Sequence, residues 1–293
     1  MYIDGSFEMK AKKIYSSWFA LPAIVIYGIF FLIPLVISIF FSLCNWTFSD
    51  ISWTGLNNFK AFLTNESLVI GVKNTLIYAV ATCFLKVVLG FLLAVFLTSA
   101  IKTKNFLRSV VFFPNIVSTI AVGIIFKAIL NPTKGILNST LAVFGIQGPN
   151  WLGDVNLALG SVIATDVWKG VGVATIIYIA GITAVDKSYY EAAAIDGATA
   201  FKRLIHITLP LCRPAMNSVI ILSFIGGMRT FDLIWSMTGG GPGFATDVMA
   251  SIIYKQYAAG YYGLSTAGNV IMLVMIAFIA FPLQKFLQSK EVG

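Results

Sequence analysis

DKSYYEAAAIDGATAFKRLIHITLPLCRP, from Asp186 to Pro214, lies between two long apolar runs, Leu157–Ile182 and Arg213–Ser236. It is too long to be a mere connection, and it carries helix signals of its own. Ser188-x-x-Glu191 reads as a capping box, in which the Ser hydroxyl bonds the Glu191 amide and the carboxylate reaches back. Ala192, Ala193 and Ala194 are the best helix formers. Gly197 can take positive φ and end this first short helix. A second amphipathic helix is expected over about Thr199–Ile207, ended by Pro210, and Pro214 opens the next apolar run. The stretch therefore reads as a helix–turn–helix lying at a membrane surface.

The flanking runs are the common element of this chain. A spanning helix needs about 20 mostly apolar residues to cross about 30 Å of hydrocarbon. Six segments qualify: approximately Trp18–Leu43, Val72–Ser99, Ser109–Leu130, Leu157–Ile182, Arg213–Ser236 and Ser265–Leu287. Pro22, Pro34, Pro114 and Pro282 fall in or near them, which membrane helices tolerate when neighbours satisfy the freed carbonyls. The first run is too long for a signal-peptide core and has no small-x-small site before a polar chain, so it reads as an uncleaved anchor. Composition agrees. Of 293 residues, 58% are apolar and 11% charged, with mean hydropathy +0.88, where soluble domains carry about 25% charged residues. Too little polar surface exists for a cytosolic globular enzyme or a disordered chain. The long continuous runs argue against an outer-membrane barrel.

Charge sets the orientation. Of the 20 Lys and Arg, twelve fall in the N-terminal tail, the loops near 100–108 and 183–213, and the C-terminal tail: Lys10, Lys12, Lys13, Lys102, Lys104, Arg108, Lys187, Lys202, Arg203, Arg213, Lys285 and Lys290. The alternate loops hold four, Lys60, Lys73, Lys134 and Lys255. Positive loops stay inside, so both termini are expected in the cytoplasm. The net charge of +8 is explained in this way, without nucleic acid. Trp46, Trp53, Trp151, Tyr257, Tyr261 and Tyr262 fall on the exterior side, where aromatics suit the interface. Cys44, Cys83 and Cys212 have no metal-ligand spacing. A Cys44–Cys83 bridge is the one pairing this topology allows, and three cysteines make no disulfide framework.

Intramembrane charges call for a functional hypothesis. Asp166, Lys169, Gly170 and Val173 share one helix face by their spacing, and Ser223, Gly227 and Thr230 share another, with Arg229 and Asp232 near its outer part. Together these faces would line a hydrated path for a hydroxylated solute. The competing reading makes Asp166–Lys169 and Arg229–Asp232 internal i, i+3 ion pairs that only hold the bundle. Lys86 and Lys127 read as interface or snorkelling residues. His206, the only histidine, reads as a polar residue at the end of a surface helix and excludes a Ser–His hydrolase. No G-x-x-x-x-G-K-[ST] occurs, and Gly239–Gly243 reads as a flexible exterior turn.

EAAAIDGA (Glu191–Ala198) followed by Leu209-Pro210 resembles the cytoplasmic signature loop of permease subunits of binding-protein-dependent ATP-binding-cassette importers. Glu191, Ala192, Ala193, Asp196, Gly197, Ala198, Leu209 and Pro210 match its pattern. The family's Ile-Pro five residues earlier is Val185-Asp186 here, and Asp is a good helix-start residue. WTGLNNFKAFL (Trp53–Leu63), NTLIYA (Asn74–Ala79), Arg108–Asn138 and Phe231–Ala258, with its F-D and T-x-G-G-P run, are similar to the carbohydrate branch.

The resemblance implies an all-α integral membrane protein of six transmembrane helices with a cytoplasmic coupling loop (186–212) that seats in the ATPase. It implies a tail (1–17), a first helix and exterior loop (18–71), a core permease domain (72–287) and a C-terminal tail (288–293), in a prokaryotic cytoplasmic membrane. It implies partners: a second and different permease subunit, two cytoplasmic ATPase subunits that bind ATP and Mg, and an extracytoplasmic solute-binding protein. The chain itself would bind no cofactor and do no covalent chemistry, and sugar is the expected solute. Glycerol phosphate, a polyamine or an amino acid is the alternative solute. An ion-coupled secondary transporter would need inverted repeats, and a membrane enzyme would need clustered His, Cys or carboxylates.

Overall fold

The computed structural model describes residues 17–99 and 102–289, and it is helical apart from one short hairpin. The tail lysines Lys10, Lys12, Lys13 and Lys290 lie outside the described residues. Helix α1 (Trp18–Ser42) is followed by the antiparallel hairpin β1 (Cys44–Trp46) and β2 (Ile51–Trp53), paired Cys44 to Trp53 and Trp46 to Ile51. Next come α2 (Asn57–Thr64) and α3 (Glu66–Thr98). Helices α4 (Lys104–Ile116), α5 (Thr119–Ile129) and α6 (Ile136–Val143) lead to α7 (Ala158–Thr183). The loop supplies α8 (Lys187–Ile195) and α9 (Ala200–Leu211). The chain ends with α10 (Arg213–Met228), α11 (Asp232–Met237), α12 (Met249–Ala258) and α13 (Tyr262–Gln288).

Among the described residues four helices, α1, α3, α7 and α13, are long and apolar enough to cross a membrane alone. The count reaches six only if each of two bent pairs makes one span: α4 with α5, bent by 96°, and α9 with α10, bent by 68°. Two apolar runs expected to be single spans are also interrupted within their length. The third breaks at Val117 and Ser118, whose backbones are extended. The fifth stops at Met228, and its 16 residues rise about 24 Å. At 33 residues, α3 is long enough, about 50 Å, to serve as the central post on which α7, α10 and α12 pack.

Small residues let these helices approach, as is usual where no hydrophobic force acts between them in lipid. A Cβ on Gly90 would stand 2.7 Å from that of Ala174, and one on Gly227 would stand 2.7 Å from the Ala79 Cα. Proline leaves a mark in α1. Pro34 has no N–H to offer, and the turn before it, Gly28–Leu32, widens to i→i+5 spacing. The same device appears in α9, where Leu204–Thr208 widens just before Pro210. Pro210 therefore does not end this helix. The end falls at Cys212, after which Pro214 does open α10.

The three cysteines are free. Cys44 donates to the Phe40 carbonyl at the hairpin, whereas Cys83 sits in the middle of α3 and reaches the Ile220 carbonyl. Cys83 is thus at the wrong depth for the bridge that the topology seemed to allow. Nor is the glycine-rich stretch Gly239–Gly243 a loose turn. Asn74 of α3 donates to the carbonyls of Phe244, Ala245 and Asp247 at 3.3, 3.1 and 2.9 Å. The fully buried Asp247 pairs with Lys255 at 2.6 Å and accepts from Ser251. A charge buried in this way is tolerated because it is paired and hydrogen-bonded.

Candidate functional site: an intramembrane polar cleft and a surface loop

Two predicted sets of residues can be followed in the structure. In the membrane set, Gly170 and Val173 of α7 meet Ser223 of α10 in one cleft of about 170 Å³, together with Lys86 of α3 and Asn115 of α4. The two faces read from spacing do converge there. Their partners differ from those expected. Asp166 does not pair with Lys169. Its Oδ2 accepts from Lys86 Nζ at 2.6 Å, and the two side chains are only 21% and 12% exposed.

Gly170 explains the choice. A Cβ there would stand 2.7 Å from Lys86 Cε and 2.9 Å from its Nζ, so the lysine lies across α7 where that side chain is missing. Lys169 turns instead to the Asn115 carbonyl, at 3.4 Å. The break after Ile116 deprives that carbonyl of its helical partner, and an ammonium can supply the lost donor.

Thr230 donates to the Tyr78 hydroxyl at 3.5 Å, and that fully buried hydroxyl also faces Asp166. A polar track thus runs from Thr230 through Tyr78 and Asp166 to Lys86 and the cleft. Gly227 is not on it, because it packs against Ala79 and Thr82. Arg229 and Asp232 form no ion pair with each other among the described residues. Arg229 instead faces a separate cleft of about 440 Å³ with Ser38 and Asn269. Sequence reading missed Lys86 and Tyr78 as site residues. The one available signal was a glycine one turn after an intramembrane aspartate.

In the loop set, α8 forms as expected but starts differently. Asp186, not Ser188, is the N-cap: its carboxylate accepts from the Ser188 amide at 2.8 Å, and no Ser188–Glu191 box forms. That hydrogen bond holds the Asp186 carboxyl below the usual carboxylate value. The cap acts only while Asp186 is ionised, so it is present above the ordinary carboxylate pKa and lost as pH falls through the lowered one. Gly197 ends α8 with φ +71. Ala198 bonds back to the Ala193 carbonyl and Gly197 to that of Ala194, a Schellman closure.

Thr199 caps α9 through the Lys202 amide, and Tyr190 hydrogen-bonds Thr208 at 3.1 Å, tying α8 to α9. Leu209 and Pro210 continue α9. His206 bonds the Lys202 carbonyl on the exposed side of this helix. Glu191 and Asp196 are exposed, and neither side chain has a hydrogen-bond or ion-pair partner among the described residues. Ile195 is 87% exposed, with Tyr189 and Phe201 also open.

The chain is 31% identical over 258 residues to the trehalose/maltose transport system permease protein MalF of Thermococcus litoralis, covering 87% of this chain and 88% of that one. It is 32% identical to the sn-glycerol-3-phosphate transport system permease protein UgpA of Agrobacterium fabrum, covering 78% and 79%. Its fold matches a chain from the crystal structure of a bacterial ABC transporter involved in the import of the acidic polysaccharide alginate, with TM-score 0.81, 21% identity, and coverage of 93% and 94%. The model of the binding-protein-dependent transport system inner membrane component family matches residues 86–291, and the chain belongs to that family of multi-pass transport permeases.

Proposed function

We propose that this chain forms half of the translocation pore of an ATP-driven importer whose solute is a sugar or oligosaccharide. The other half is a second permease chain, different in sequence. Two cytoplasmic ATPase subunits bind ATP and Mg, and an extracytoplasmic binding protein delivers the solute. The observation that carries the reading is the loop 186–212. Its α8 exposes Tyr189 and Ile195 next to two carboxylates that none of the described residues engages. Lipid headgroups would repel those acids, whereas a protein socket satisfies both features. ATP binding closes the ATPase pair, α8 moves with its socket, and α9, continuous in packing with α10, passes the motion to the membrane helices. Ser188, Glu191, Ala192, Ala193, Asp196, Gly197, Ala198, Leu209 and Pro210 make up the coupling surface.

Asp166, Lys169, Gly170, Val173, Ser223 and Thr230, now with Lys86 and Tyr78, form the polar track along the solute path. Gly227 is left as packing. The track offers hydroxyl and charged hydrogen-bonding groups, and because Lys86 neutralises its one carboxylate while Lys169 turns to a carbonyl, no excess negative charge invites a cation; the choice of a sugar over an anionic solute rests on motifs and relatives. The carbohydrate-type motifs and the named relative from Thermococcus litoralis support the same solute class. The division into a first-helix segment (18–71) and a core (72–287) belongs to the same reading.

Uptake in vesicles containing all four kinds of subunit should require ATP hydrolysis and survive an uncoupler. Collapse with the uncoupler alone would establish a secondary transporter instead. Calorimetry of the cognate binding protein should show a sugar, not glycerol phosphate, a polyamine or an amino acid, as the tight ligand. For orientation, reporter fusions after Lys102 and Lys187 should read cytoplasmic and those after Lys60 and Lys134 exterior, which places both termini inside. One inverted loop would break the six-span reading.

A further inference from the structure

At the exterior end, three aromatic rings lie in mutual contact. Phe231 precedes α11, Trp235 lies within it, and Tyr254 is on α12. The Phe231 and Trp235 rings are stacked, with centroids 5.6 Å apart and planes within 18°. Tyr254 stands edge-on to Trp235 at 4.8 Å and lies 5.3 Å from Phe231. The same two helices send Leu233, Ile234, Met237, Met249 and Ile252 inward to full burial, yet leave Trp235 39% and Tyr254 43% exposed. Arg229 and Asp232, both exposed, flank Phe231 in the chain and make no ion pair among the described residues. A second aromatic group, Trp46, Phe48, Tyr257 and Tyr262, has a different task, since it packs the β1–β2 hairpin onto α12 and α13.

The chemistry of this place is specific. An aromatic face is apolar and carries a negative quadrupole. One face of a pyranose is a patch of C–H groups with slight positive charge, while its hydroxyls point out around the ring edge. A flat ring with an exposed carboxylate, Asp232, next to Phe231 in the chain matches both parts. The rings hold one another, so little side-chain freedom is lost on binding. Thr230, which precedes Phe231, is the outer end of the polar track through Tyr78.

We propose that Phe231, Trp235 and Tyr254 form a stacking station for a pyranose ring at the outer mouth, with the neighbouring Asp232 taking its hydroxyls before it enters the cleft beside Lys86. This rests on the sugar reading above. The rival is an interfacial aromatic belt that only anchors the protein in lipid.

The test uses the assembled transporter in nanodiscs without its binding protein. Saturation-transfer NMR, irradiating aromatic protons, is recorded with methyl pyranosides and with open-chain alditols of the same carbon number. Saturation should reach the ring C–H protons of pyranosides and not the alditols. Trp235→Ala and Tyr254→Ala should each weaken the signal-derived affinity roughly tenfold, and Tyr254→Phe should keep it. Equal saturation of alditols, unchanged affinity in Trp235→Ala, or a Trp235→Ala effect confined to membrane retention would each overturn the station. ATP-driven import by the wild type separates the two readings. No import of any pyranose sinks the sugar assignment, whereas normal import with unaltered apparent affinity in Trp235→Ala sinks only the station.

Discussion

Changing Lys86 to Ala should lower the thermal stability of the detergent-extracted permease sharply, and changing Asp166 to Ala should do the same. Each variant leaves its partner's charge without a counter-ion where the side chains are only 12% and 21% exposed. Breaking such a pair from one side costs about 3–5 kcal/mol, a large share of the roughly 5–15 kcal/mol that holds a typical domain. Removing both charges is a different experiment. Lys86→Met with Asp166→Leu leaves no orphan, so much of the stability should return.

Transport should not return with it, because the apolar pair closes the polar track that runs to Thr230. Melting by fluorescence-detected gel filtration and uptake in vesicles separate the two effects. Four equal melting temperatures would show that water already solvates both charges. A double variant that transports normally would remove the pair from the solute path.

That pair also shows what the chain could and could not disclose in advance. Apolar length alone located α1, α3, α7 and α13 to within a few residues, because crossing hydrocarbon is a demand on composition. It could not reveal the breaks at Val117–Ser118 and at Arg229–Phe231. Each break lies inside a run whose overall composition stays apolar, and it is set by local backbone angles at Val117–Ser118 and at Arg229–Phe231.

Periodicity correctly placed Asp166, Gly170 and Val173 on one face. The same spacing suggested a local Asp166–Lys169 pair, because the i, i+3 rule sees only one helix. The true partner lies 80 positions away in α3, through a gap that the absent Gly170 side chain creates. The loop shows a similar competition. Ser188-x-x-Glu191 and Asp186-x-Ser188 are overlapping helix-start patterns that both use the Ser188 amide, and the Asp186 carboxylate, not that of Glu191, took it.

The loop yields the second large effect. Gly197→Val should abolish most co-purification of the ATPase and most transport while leaving the permease inserted and folded. At φ +71 a Cβ on residue 197 would meet nothing within 4 Å, so no steric clash complicates the outcome. The cost is conformational, about 1–2 kcal/mol for an ordinary L residue and more for a β-branched one. That cost falls on the Schellman closure between α8 and α9.

Asn visits this region at little cost, so Gly197→Asn should behave almost as wild type. Glu191→Lys is a still cleaner probe. Its side chain is exposed and partnerless among the described residues, so reversal can disturb nothing within the permease. Any loss must come through something that docks there. The measurement is the amount of ATPase retained on affinity-purified permease, taken with substrate-stimulated ATP hydrolysis. If Gly197→Val and Glu191→Lys both retain ATPase and both hydrolyse and import normally, α8 is not the coupling element, and the motion of the ATPase must reach α10 by another route.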